Sequence, residues 1–132
     1  MSDIIHTHIL TPGLVQILIK LIQAVKQKNK NEVHLQKDVD LTHNEYANAQ
    51  KLRYFGLIAK TGNPGYWLIT ERGGKFLRNE IAVSYKVSTQ NNHIVAKSEE
   101  VRMIKDYFPA YGDVWFQQNF GSIKITNQQA LL

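Results

Sequence analysis

The sequence predicts an α+β protein. A mixed helix-and-strand unit spans residues 11–80, a mostly β extension spans 81–132, and a tail covers 1–10. Three observations carry this expectation. Apolar side chains recur at helical spacing over residues 14–25. A second helix over 42–55 is bounded by a threonine cap and a glycine stop. Two short strands over 57–69 fold back on each other at Pro64-Gly65.

The first ten residues read as a tail or an edge strand. Thr11-Pro12 then starts a helix, because threonine caps free amides and proline suits the first helical position. Leu14, Ile17, Leu18, Leu21 and Val25 make one stripe, and Val15, Ile19 and Ile22 widen it. The result exceeds the usual one-sided stripe of about 100°. Such a helix must be covered on two sides, as the centre of the domain or as half of a dimer interface. The basic, polar run over 26–31 ends it. Residues 32–41 predict a short strand, a single helical turn, or both.

Thr42-His43-Asn44-Glu45 has capping-box spacing, and Gly56 sits where a terminal glycine belongs. Between them Ala49, Leu52 and Phe55 point inward. His43, Tyr46, Ala47, Gln50, Arg53 and Tyr54 point outward. Residues 57–60 and 66–69 are strands joined by a tight turn, since Pro64-Gly65 suits the centre of a type II turn. Thr70 caps a further helix that carries Phe76 and Leu77 inward. Val83, Tyr85 and Val87 alternate with polar residues as a half-buried strand does. Asn91-Asn92 makes a hairpin turn, because asparagine tolerates positive φ. Val101 and Met103 continue a strand pattern, with a capped helix at Ser98 as the weaker alternative. The aromatic-rich stretch over 107–120 must pack on something.

Composition narrows the function classes. The chain has 132 residues, 43% hydrophobic, and no cysteine. Disulfides, thiolate zinc sites and thiol catalysis are thereby excluded. No apolar run approaches the ~20 residues that span a bilayer. The N-terminal MSDIIHTHIL has neither a basic leader nor a small-residue cleavage site, so a cytoplasmic location is expected. Sixteen Lys and Arg oppose eleven Asp and Glu, a net charge of +5, which favours polyanionic partners.

The stretch over residues 41–77, LTHNEYANAQKLRYFGLIAKTGNPGYWLITERGGKFL, holds most of the information. It resembles the winged-helix regulators of bacteria, archaea and their phages. That family shows a helix ending in Leu-x-x-x-Gly-Leu-Ile, here Leu52-Arg53-Tyr54-Phe55-Gly56-Leu57-Ile58. A two-stranded wing and a Thr-x-x-Gly helix start follow, here Thr70-Glu71-Arg72-Gly73. The resemblance covers residues 11–80 and implies a winged helix-turn-helix whose 42–55 helix enters the major groove of double-stranded DNA. Carried onto this chain, the contacting residues are His43, Asn44, Tyr46, Ala47, Gln50 and Lys51, continued by Arg53 and Tyr54. Gln50 or Asn44 suits adenine, Arg53 suits guanine or phosphate, and Lys51 with the two tyrosine hydroxyls suits phosphates. The wing over 61–66 has no Lys or Arg, which leaves Lys60 and Arg72 at its base. The middle helix of the motif is truncated. Lys26, Lys28 and Lys30 are expected to hold flanking phosphates, and the protein to act as a homodimer in transcriptional control.

Weaker signals have ordinary readings. His6-Thr7-His8 offers two imidazoles to a metal but no third ligand, and a histidine-containing tail is the plainer reading. Asp38, Asp40 and His43 read as a solvated turn rather than a cation site. Trp67 and Tyr66 read as packing under the wing more readily than as base-stacking residues. Trp115, Phe116 and Phe120 read as a cover for a core edge or a partner rather than as a ligand pocket. No nucleophile–base–orienter set, phosphate-cradling loop or metal motif is present, so no enzyme activity, cofactor or metal is expected. The alternative function is a protein-interaction or assembly module that uses residues 81–120 and does not bind DNA. A third is a small-molecule-sensing regulator, which needs a pocket.

Overall fold

A computed structural model describes residues 4–121. It shows a mixed α and β architecture in which helices pack with small antiparallel sheets. The strand orders are β1-β6-β7, β2-β4-β3 and β5-β8.

Helix α1, Pro12–Lys28, is the centre of the core. Thr11 has extended backbone, and its hydroxyl accepts the Leu14 amide at 3.2 Å. Asn29 ends the helix in the left-handed region, φ 54°, a conformation that asparagine adopts at low cost. Nine α1 side chains are buried, all the way round its wide stripe. Each large one stabilises the fold by about 1.5–3 kcal/mol relative to exposure. Cover comes from α2 (His43–Ala49), β2 (Glu32–His34) and the 50–55 segment. Of the two ways of covering the stripe, the central position is the one that forms. The stripe therefore gives no ground for a second copy.

The N-terminal segment is not a free tail. Ile5–Ile9 forms β1, antiparallel to β6 (Lys86–Gln90), with His8 opposite Val87 and Thr7 opposite Ser88. Residues 32–41 contain both expected features. β2 is followed by one turn, closed by the Asp38 amide on the His34 carbonyl at 2.9 Å. The Asp38 carboxylate also accepts the His34 amide.

The 42–55 helix needs a correction. It is α-helical only to Ala49, and Gln50–Phe55 winds as a 3-10 helix. The reason lies in its inward residues. Ala49, Leu52 and Phe55 are spaced by three, and a three-residue turn keeps all of them buried on one side. Gly56 then reverses the chain at φ 75°.

β3 (Ile58–Lys60) and β4 (Tyr66–Ile69) form the expected pair, and β2 adds to the other edge of β4. The Tyr66 amide returns to the Asn63 carbonyl at 3.1 Å, with Gly65 at φ 82°. Thr70 starts α3 (Glu71–Leu77) and is buried. Its hydroxyl donates to the Gly56 carbonyl at 2.6 Å and accepts the Gly73 amide at 2.9 Å. One threonine thus ties the end of the 3-10 segment to the start of α3.

The extension was expected to be mostly β; residues 81–121 carry helix as well as strand, and 122–132 lie outside the described residues. The strand predicted over 83–87 divides at Tyr85. Its first part, β5 (Val83–Ser84), pairs with β8 (Val101–Arg102), and β6 pairs with β1 and β7 (His93–Lys97). Asn91 and Asn92, both at positive φ, close the β6–β7 hairpin. A 3-10 turn, Ile104–Asp106, and helix α4, Asp113–Phe120, follow. Val83, Val87, Ile104, Phe116 and Phe120 belong to the same core as α1, so the described part of the extension packs on the 11–80 unit. The Tyr107 hydroxyl donates to the Leu10 carbonyl at 2.6 Å, and burial raises its phenol pKa well above the ordinary value. The aromatic stretch is thus used inside the chain. Among the described residues no helix is long and apolar enough to cross a membrane.

Candidate nucleic-acid interface

The 42–55 segment is held at its start by a complete capping box. The Glu45 amide donates to the Thr42 hydroxyl at 3.1 Å, and the Thr42 amide donates to the Glu45 carboxylate at 3.0 Å. Lys20 of α1 adds an ion pair to the same carboxylate at 2.7 Å. The Lys20 hydrogen bond, aided by that from Thr42, holds the Glu45 carboxyl below its ordinary range. The acid on this helix is therefore neutralised from the α1 side.

The outward residues fall into two groups. His43, Asn44, Tyr46, Ala47 and Gln50 are exposed. Lys51, Arg53 and Tyr54 are half-buried, because the N-terminal strand flanks the helix on one side and the β6–β7 hairpin on the other. On one side β1 and the start of α1 leave a cleft of about 360 Å³, into which Asn44, Asn48 and Lys51 project beside His8. His8 stacks on Tyr54, centroids 4.7 Å apart and planes at 21°. Its Nε2 is 2.9 Å from the hydroxyl of buried Thr89. Burial, then the charges of Lys51 and His6, hold the His8 imidazole below its ordinary pKa. On the other side the Tyr54 hydroxyl donates to Asn92 at the hairpin tip, 3.4 Å away, and receives Arg53 at 3.1 Å.

Lys60 is exposed at the end of β3, 5.8 Å from the Trp67 ring centroid. Arg72 is exposed, and its side-chain stem crosses Gly56. Both flank the end of the 3-10 segment. The loop over 62–65 is exposed and uncharged. It is braced by β2, since Asn63 donates to Glu32 at 3.2 Å and the His34 ring lies against Gly65. Trp67 is buried below it, and Tyr66 meets His34 edge-on. Of the lysines near the end of α1, Lys30 lies beside this loop in a hollow shared with Asn63 and Tyr66. Lys26 instead lies over Phe120. Trp115 stacks on Tyr111 at 4.3 Å while Phe116 and Phe120 enter the core.

Two neighbours of the helix escape sequence reading, His8 and Asn92. Neither has a local signal that points to Tyr54, because strand pairing through β6 is what brings both to it. Compared with known proteins, the chain matches no family model, no curated protein and no solved structure.

Proposed function

We propose that this chain is a winged-helix DNA-binding protein that enters the major groove with the 42–55 segment and acts in transcriptional control. The element order supports the reading: α1, β2, one turn, α2 with its 3-10 extension, then β3, loop, β4 and α3, with strands ordered β2-β4-β3. The single observation that carries it is the exposed ridge of His43, Ala47 and Gln50, flanked by Lys51 and Arg53, on a helix whose one acid is paired with Lys20. A ridge of amide and imidazole groups is suited to base edges, and half-buried cations on its flanks are suited to phosphates. Gln50 is assigned to adenine. Arg53, Lys60 and Arg72 are assigned to the backbone, with Lys30 beside the loop as an outer contact. The homodimer expected from α1 and the aromatic stretch is not part of the proposal, since both are consumed within one chain.

The test is a titration of labelled random duplex DNA by fluorescence anisotropy across salt concentrations. Log affinity is expected to fall linearly with log salt, by about 0.9 for each phosphate contacted. Absence of binding at low salt overturns the reading.

A protein-docking role has one specific observation in its favour. Ile4, Ile5 and Ile9 at β1, and Ile94 and Val95 on β7, are exposed on the two edge strands of one sheet. Apolar docking of this kind is nearly insensitive to salt, which separates it from the main proposal.

A further inference from the structure

The β6–β7 hairpin is peculiar in what it does not bury. Every residue of β7, His93–Lys97, is exposed, so this strand adds nothing to the core. A register irregularity at Ser88/Thr89 bends the hairpin just before its tip. The tip then lies against the 3-10 segment through the Tyr54–Asn92 hydrogen bond.

Between tip and helix runs an open groove of about 380 Å³. Arg53 and Tyr54 form one wall, Lys60 and Trp67 the second, and Asn92 and His93 the third. Ile58, Ala59 and Ile94 complete the lining, which holds no Asp or Glu. The two cations are oriented by aromatic rings. The Arg53 guanidinium lies 5.0 Å from the Tyr54 centroid, and the Lys60 ammonium 5.8 Å from that of Trp67. A groove with two cations, no competing carboxylate, and an amide and an imidazole at its rim complements a sugar-phosphate strand. The loop over 62–65, by contrast, has no charge and is held down by β2.

We propose that the β6–β7 hairpin is a second wing: it borders the DNA strand that runs along this groove, and Asn91, Asn92 and His93 at its tip contact that strand. This inference rests on the DNA-binding reading above. The hairpin contributes direction as well as affinity, because it extends the contacted stretch of backbone beyond the end of the 42–55 segment.

Two variants of the full chain test it against the same labelled duplex. Asn92→Gly combined with His93→Ala removes two of the three tip side chains and leaves Asn-Gly, a favoured pair for this turn. Affinity at low salt is expected to fall about three- to tenfold, the effect of one or two hydrogen bonds. A hydroxyl-radical footprint is expected to shorten at one end. His93→Lys carries the test even if the first variant folds poorly. It is expected to tighten binding and to steepen the salt dependence by about 0.9, one added phosphate contact. An unchanged salt dependence with His93→Lys, while Arg53→Ala still weakens binding, overturns the second wing and leaves the DNA reading intact. A wild-type chain that binds no DNA removes both.

Discussion

His8 lies flat on Tyr54, and this stack joins the first strand of the chain to the end of the 42–55 segment. The contact makes β1 part of the frame of the candidate interface. It also places a titratable ring between a buried threonine and a lysine.

Acid should therefore loosen this joint. His8 has its pKa lowered from 6.5 by burial, then by Lys51 and His6. The unfolded chain takes up this proton first as pH falls, so stability declines from about pH 6.5 through the lowered folded value. Below that value the loss is complete and constant. His8→Phe keeps a stacked ring that cannot titrate. Urea midpoints measured from pH 8 to 4 are expected to fall less for His8→Phe than for wild type. Parallel curves would show that His8 is indifferent to its surroundings.

Gly73 marks a place where a side chain has no room. A Cβ there would lie 2.2 Å from the Leu57 carbonyl oxygen and 2.8 Å from Ile69 Cγ2. Gly73→Ala must push α3 away from the β3–β4 pair and is expected to cost at least about 1–3 kcal/mol. Gly62→Ala is the matched control, since nothing lies within 4 Å of its Cβ position. Thermal melts should show a large drop for the first and little change for the second.

Leu52 is fully buried in the middle of the 3-10 segment. Leu52→Ala is expected to cost about 2–5 kcal/mol in urea unfolding, as buried leucine truncations do. A near-neutral value would mean that this segment does not anchor to α1.

Gln50 and Arg53 separate base reading from backbone contact. Gln50→Ala is expected to relax preference among duplexes at one position, by about 1–3 kcal/mol. Arg53→Ala is expected to weaken all duplexes alike and to reduce the salt dependence by about 1. Both are half-buried or exposed, so circular dichroism should stay unchanged. Equal binding by wild type and a chain carrying both Gln50→Ala and Arg53→Ala would move the contact surface elsewhere.

The local architecture was legible because its causes are local. Thr11, Thr42 and Thr70 cap helices through atoms three residues away. Gly56, Gly65, Asn91 and Asn92 adopt positive φ where the chain must reverse. The 3-10 winding of 50–55 was not legible, because the three-residue spacing of Ala49, Leu52 and Phe55 suits one face of an α-helix as well. The α1 stripe announced that two sides needed cover, without saying by what.

Tertiary structure decided everything that depends on residues far apart. The pairing of β1 with β6 decided between tail and edge strand, the two expected readings of the first ten residues, in favour of the edge strand over Ile5–Ile9. Packing of Phe116 and Phe120 drew the aromatic stretch into the α1 core and made it a helix end. Only the folded chain sets His8 on one side of Tyr54 and Asn92 on the other, narrowing the eight candidate contact residues to a ridge between two clefts. The physical reason is one of range. Caps and turns are settled by sterics and hydrogen bonds within a few residues, so a sequence states them directly. Which apolar face covers which depends on the summed burial of the whole chain, and no short stretch contains that sum.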